Sequence, residues 1–218
     1  LIRNLGGEVI TLSASSKNHI NALEINNDID MDENPVSIKS EFLISLFDQL
    51  LKSNDSRLGG GVGAKDKSII DRCAIKVYGE YLSGKSEYMP TLVDFRNELL
   101  RQPEDEAQDL ALSLEIFTTG SLDAFAHQSD VNTNNRIVAY DILELGEQMK
   151  SIGLLIMLDN IFNRVMANRR RGKYTRVYVD EAHLYFKNPY SADFLLKCWK
   201  RFRKYGGLLT GITQNISD

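Results

Sequence analysis

Between Arg136 and Gln214 the chain alternates between two kinds of pattern. Arg136–Ile142, Thr175–Val179 and Leu208–Gln214 have strand composition, and Glu147–Arg169 and Ser191–Tyr205 separate them as helical stretches. Strands joined by crossovers of that length pair in parallel, and such crossovers wind right-handed. The pattern therefore predicts an α/β fold with a mostly parallel sheet. Val177, Tyr178 and Val179 have the composition of a strand buried on both faces. A parallel sheet also brings its strand ends to one edge, where open α/β sheets bind ligands. That edge would carry Asp141, Asp180 with Glu181, and Thr213 with Gln214.

The stretch before this alternation is different. Glu8–Leu12 reads as a short strand after a glycine stop at Gly6-Gly7, and Ser13–Pro35 is a polar connection anchored by Ile20, Leu23, Ile25 and Ile29. Four helical patterns follow without an intervening strand. They are marked by Ile38, Phe42, Leu46 and Leu50, by Ile69, Cys73, Val77 and Tyr81, by Leu92, Phe95, Leu99 and Leu100, and by Leu110, Ala111, Leu114 and Phe117. An all-helical insertion over 36–118, within an α/β core made of 1–35 and 119–218, accounts for this order. Ser56–Ala64 is glycine-rich, but Ala64-Lys65-Asp66-Lys67 follows where a phosphate-cradling loop needs lysine and then serine or threonine. It reads as a connector.

The chemistry lies in the acidic strand end. An aspartate there can help hold magnesium against nucleotide phosphates, and a neighbouring glutamate can take a proton from attacking water. The competing reading is an acidic helix start, favoured by the helix dipole. His183 lies beside the pair, and with only His19 and His127 elsewhere the sequence shows no spaced zinc cluster; a packed or gating histidine is expected. A net charge of −4 excludes a generally basic nucleic-acid coat. Any DNA contact would be local, at Arg169–Lys173 or along Lys197–Lys204, where the alternatives are a helix C-cap and a solvated face. Cys73 and Cys198, far apart among apolar helix positions, predict two buried thiols in a reducing compartment. No stretch reaches the roughly 20 apolar residues of a membrane span, and no secretory leader is evident.

Asp180-Glu181-Ala182-His183-Leu184, Lys200–Gly207 and Thr210-Gly211-Ile212-Thr213-Gln214-Asn215 resemble the C-terminal motor domain of conjugative type IV secretion ATPases, the large TraE/TraC-type component. Gly6-Gly7-Glu8-Val9-Ile10, Ile20-Asn21 and Gly120-Ser121-Leu122-Asp123 extend the resemblance over nearly the whole chain. It implies a RecA-like P-loop NTPase core with a helical insertion, and ATP and Mg2+ as ligands. Asp180 would take the Walker B magnesium role and, with Thr213, contact the cofactor. Glu181 would be the catalytic base, Gln214 the sensor between strands, and Arg201 or Arg203 an arginine acting in trans. It also implies a homo-oligomer, a hexamer when full length, meeting other type IV secretion components at the cytoplasmic face of the inner membrane. There it would power pilus assembly or substrate transfer. The family has Asn-Pro where this chain has Asn21-Ala22, so a looser turn is expected. The Walker A loop is missing from these residues, which predicts a piece of a longer protein with little turnover of its own. A double-stranded DNA translocase of the FtsK/HerA type, or a non-enzymatic adaptor with a worn nucleotide fold, are the alternatives.

Overall fold

A computed structural model describes residues 1–13, 18–25, 34–54, 61–120, 123–131, 135–186 and 189–214. Much of the glycine-rich connector, Ser121-Leu122, Ile29 and Asn215 lie outside these residues. The chain divides into two compact units, Leu1–Gly153 and Leu154–Asp218.

In the first unit, strand β1 (Glu8–Thr11) pairs in parallel with β2 (Val138–Asp141), Glu8 opposite Val138 and Thr11 opposite Asp141. Helices α1 (Pro35–Asn54), α2 (Ala64–Leu82), α3 (Leu92–Leu100), α4 (Asp105–Ser113) and α5 (Glu115–Thr118) come between them in sequence. The expected fourth helix is thus broken: Leu114 ends α4 and starts α5. Phe42, Leu43, Leu46, Phe47 and Leu50 recur at helical spacing on α1 and are all buried. α1 packs on α2, and α2 on α3, where the Phe47 and Phe95 ring centroids are 6.0 Å apart.

The polar connection is pinned rather than loose around Asn21-Ala22. Asn21 Nδ2 donates to Pro90 O at 2.9 Å, and Asn21 Oδ1 accepts the Leu23 N–H at 2.9 Å. Ala22 donates its own N–H to Phe125 O at 3.4 Å, a bond a proline could not make. The Tyr78 hydroxyl donates to Leu23 O at 2.6 Å, and Lys39 Nζ to Ala22 O at 3.2 Å. The fold also joins two histidines that the sequence keeps far apart. His19 bonds Asp130 through Nδ1 and His127 bonds Asp123 through Nε2, both at 2.9 Å, with the two rings edge to face at 4.6 Å.

In the second unit, β3 (Thr175–Val179) pairs in parallel with β4 (Gly207–Gly211), Thr175 opposite Gly207 and Val179 opposite Gly211. The hydrogen-bonded ladders are therefore two two-stranded parallel sheets, where the alternation predicted one. β3 is fed by α6 (Glu147–Arg170), and β4 follows α7 (His183–Phe186) and α8 (Pro189–Lys204). Every residue from Ile152 to Asn160 on α6 is buried; the apolar run Leu154–Leu158 accounts for its centre, and Asp159 and Asn160 are buried polar residues beside it. Its basic end is a Schellman cap: Gly172, at φ 67°, donates to Arg169 O, and Lys173 N–H reaches Asn168 O.

β3 is buried on one face only. Val177 and Val179 are covered, while Arg176 and Tyr178 are exposed, because α8 packs on β4 from a single side. Phe202 and Phe162 stack with centroids at 5.7 Å within that layer, an arrangement worth about 1 kcal/mol beyond burial itself. Trp199 is 37% exposed at the layer's edge. Among the described residues no helix is long and apolar enough to cross a membrane.

The helix layer approaches the strand closely at Gly207. A Cβ there would meet Phe202 Cβ and Val165 Cγ1 at 3.0 Å. Gly207→Ala is expected to destabilise the protein by about 1–3 kcal/mol in denaturant unfolding. Tyr78→Phe is expected to cost about 1–2 kcal/mol, since it strips a buried carbonyl of its donor.

Both cysteines are free and buried. Burial, with the Glu98 charge second, pushes the Cys73 thiol up to about 11. Burial, with Asp159 second, pushes Cys198 up to about 12. The folded state holds these protons to higher pH than the unfolded chain does. The associated stability is complete below the ordinary thiol range and is lost as pH rises through those values. A disulfide reagent at about pH 8 should label neither thiol in the folded protein and both in denaturant.

Candidate active site

The candidate site is built at the carboxyl ends of β3 and β4, inside the second unit. The ladder continues one step past both strands, since Ile212 N–H donates to Val179 O at 2.8 Å. A regular parallel ladder would next take the Glu181 N–H onto Ile212 O. Instead Ala182 N–H makes that bond, at 2.8 Å. Glu181 is thus one extra residue in the strand, a bulge, and it sits at φ 50° in the left-handed region. Its freed N–H is taken by Asp180 Oδ1 at 3.0 Å. An ordinary side chain in that region costs roughly 1–2 kcal/mol, which the two flanking ladder bonds hold in place.

The bulge turns Glu181 toward the end of β4. Gln214 Nε2 donates to Glu181 Oε1 at 2.8 Å. His183 Nδ1 lies 3.4 Å from Glu181 Oε2 and 3.2 Å from Thr213 Oγ1. Oε1 is therefore hydrogen-bonded, and Oε2 faces the imidazole. Glu181 and Gln214 touch directly. Among the described residues no lysine or arginine pairs with Glu181. The same holds for Asp180, which is exposed at the strand end. Gly211 keeps the space open behind the bulge, since a Cβ there would come within 3.2 Å of Ala182 Cβ and 3.5 Å of the Trp199 ring.

The remaining sequence-named residues are placed as follows. Asp141 ends β2 in the first unit, where its Oδ1 accepts the Leu143 N–H at 3.1 Å. Arg203 is exposed on α8, whereas Arg201 is half-buried with its guanidinium 5.9 Å from the Phe162 ring centroid. Of the neighbouring basic residues, Lys200 and Lys204 are exposed and Lys197 pairs with Asp193 at 2.7 Å. The link from Glu181 through His183 to Thr213 was not legible in the sequence, because it depends on the bulge and on the register between two strands.

The chemical content is an exposed aspartate, with no cationic partner among the described residues, beside a glutamate hydrogen-bonded by an amide and facing an imidazole. Among the described residues no three His, Cys, Asp or Glu side chains are grouped to hold a metal by themselves. The site nonetheless fits magnesium, which takes one or two carboxylates and completes its shell with water and substrate phosphates. The left-handed backbone at Glu181 makes a separate demand. Glu181→Asn should leave the denaturation midpoint near its starting value, and Glu181→Val should lower stability by about 1–2 kcal/mol, because β-branched side chains fit that region poorly.

No family model matches the chain, and no curated protein matches it. Among solved structures, it is similar to the structure of VirB4 of Thermoanaerobacter pseudethanolicus, at 21% identity and a TM-score of 0.74. The match covers 98% of this chain and 58% of that one. The chain therefore has a VirB4-like mixed α/β fold, which it spans over little more than half of that structure's length.

Proposed function

We propose that these residues form the carboxylate side of an ATPase site in a type IV secretion motor. The bulge that presents Glu181 between Gln214 and His183, beside an Asp180 that pairs with no lysine or arginine among the described residues, carries this reading. The VirB4-like fold supports it, as does the motif order from Asp180-Glu181 through Lys200–Gly207 to Thr213-Gln214. In this reading the core is RecA-like, with 36–118 inserted in it, and the phosphate-binding loop is not among these 218 residues.

Asp180 would hold the magnesium ion, whose charge neutralises the β- and γ-phosphates and the charge that grows on them. Glu181 would accept a proton from the attacking water at one of its carboxylate oxygens. Gln214 would orient that water after its amide leaves Oε1, and Thr213 would contribute a hydroxyl at the nucleotide. Of the two arginines, the exposed Arg203 suits a role at a neighbouring subunit's phosphate better than Arg201, which is committed to the Phe162 ring. The assembly would be a hexamer on the cytoplasmic face of the membrane, working with other secretion components.

Two substitutions in the longer protein separate the roles. Glu181→Gln should keep magnesium-ATP binding and lower kcat by at least about a hundredfold, since the base is lost while the shape persists. Asp180→Asn should weaken magnesium-ATP binding by roughly ten- to hundredfold. Equilibrium binding and single-turnover hydrolysis on both variants are the measurements, and hydrolysis at the unmodified rate by Glu181→Gln would remove Glu181 from the base role. The 218 residues alone should hydrolyse ATP at background.

A further inference from the structure

We infer that His183 is a positioning residue for Glu181, acting through its Nδ1 and tying the aim of the carboxylate to Thr213 at the end of β4. The inference rests on the ATPase reading of this site and adds a component to it. Nδ1 lies 3.4 Å from Glu181 Oε2 and 3.2 Å from Thr213 Oγ1. One ring atom therefore faces a group that can only accept a proton and a hydroxyl that can give or accept one. The imidazole is largely enclosed, with 16% of its side-chain surface exposed against 39% for Glu181. An enclosed ring has few rotamers to sample, so a contact through Nδ1 restricts the more exposed carboxylate.

The carboxylate needs that restriction. Glu181 stands on a bulge, and its N–H has left the ladder for Asp180. Gln214 Nε2 holds only Oε1. A carboxylate held at one oxygen still swings about that bond; an Nδ1–H shared between Oε2 and Thr213 Oγ1 would restrict that swing. His183 is two residues beyond Glu181 and begins α7, a single helical turn that packs on α8. Thr213 is the residue before Gln214. A shift of the β4 end that moves Gln214 would therefore move the Thr213 hydroxyl on His183 as well. The two contacts on Glu181 would then be gained or lost together.

The choice of Nδ1 allows a specific test. An asparagine side chain can place its amide near the Nδ1 position, a glutamine side chain reaches the Nε2 position, and alanine reaches neither. In the longer protein that carries the phosphate loop, His183→Ala and His183→Gln should lower the single-turnover rate about ten- to hundredfold, the scale of a small misplacement of a reacting group. His183→Asn should stay within about threefold of the unmodified rate, and KM for ATP should change little in all three, because the ring touches the base and not the nucleotide. Thr213→Val keeps the shape and removes the hydroxyl; it should slow turnover in the unmodified protein and slow it by a smaller factor in His183→Ala, where only its contact at the nucleotide is left to lose. Circular dichroism and the denaturation midpoint identify any variant that has lost its fold, and the remaining variants decide.

Unchanged kcat in His183→Ala, equal rates for the asparagine and glutamine variants, or a KM effect alone would overturn the role of His183 and leave the ATPase reading intact. Absence of magnesium-dependent hydrolysis by the unmodified longer protein would overturn that reading and this inference together.

Discussion

The second unit depends on how the ladder between β3 and β4 ends. Val179 O and Ile212 O are both satisfied, by Ile212 N–H and Ala182 N–H, and the chain fits one residue more than a regular ladder would between those two bonds. That residue must leave the pleat, and it does so in the left-handed region at φ 50°. A backbone group removed from a ladder needs another partner. Asp180 supplies it through Oδ1. Two adjacent acidic residues are thereby separated in role. One carboxylate satisfies the backbone and stays exposed at the strand end, and the other is swung toward β4.

This end is stiff because of what lies behind it. α8 lays Leu195, Cys198 and Phe202 against the strands, and all three are buried. Glycine at 207 lets Phe202 and Val165 come close to the strand. At the far end of β4, glycine at 211 leaves the space that Ala182 and the edge of Trp199 approach. The helix layer covers one face of the pair and leaves Arg176, Tyr178, Leu208 and Thr210 outside. A site placed past the ends of β3 and β4 inherits their register, so Gln214 meets Glu181 without either side chain lying in a long flexible loop.

In the first unit the stabilising logic is different. Irregular backbone around Asn21-Ala22 is held by side chains and carbonyls from distant segments, with Tyr78, Lys39, Pro90 and Phe125 all contributing. Such a connection satisfies its polar groups one by one instead of through a ladder. The departure from Asn-Pro at this turn therefore has a structural counterpart, because the alanine N–H is used.

Local pattern alone determined the helices with strong periodicity, the four short strands, the glycine stop at Gly6-Gly7, and the acidic strand end beside a Thr-Gln strand end. These follow from residue spacing and backbone preference, which act over a few neighbours. Tertiary structure decided the rest. Whether Tyr178 and Trp199 are covered depends on which faces other elements occupy, and composition is silent on that. The meeting of His19 with His127 depends on chain segments far apart in sequence. The bulge at Glu181, and with it the contacts to Gln214 and His183, depends on a register offset of one residue. No periodicity encodes such an offset, because it arises only when two strands and their flanking turns are closed against the same helix layer.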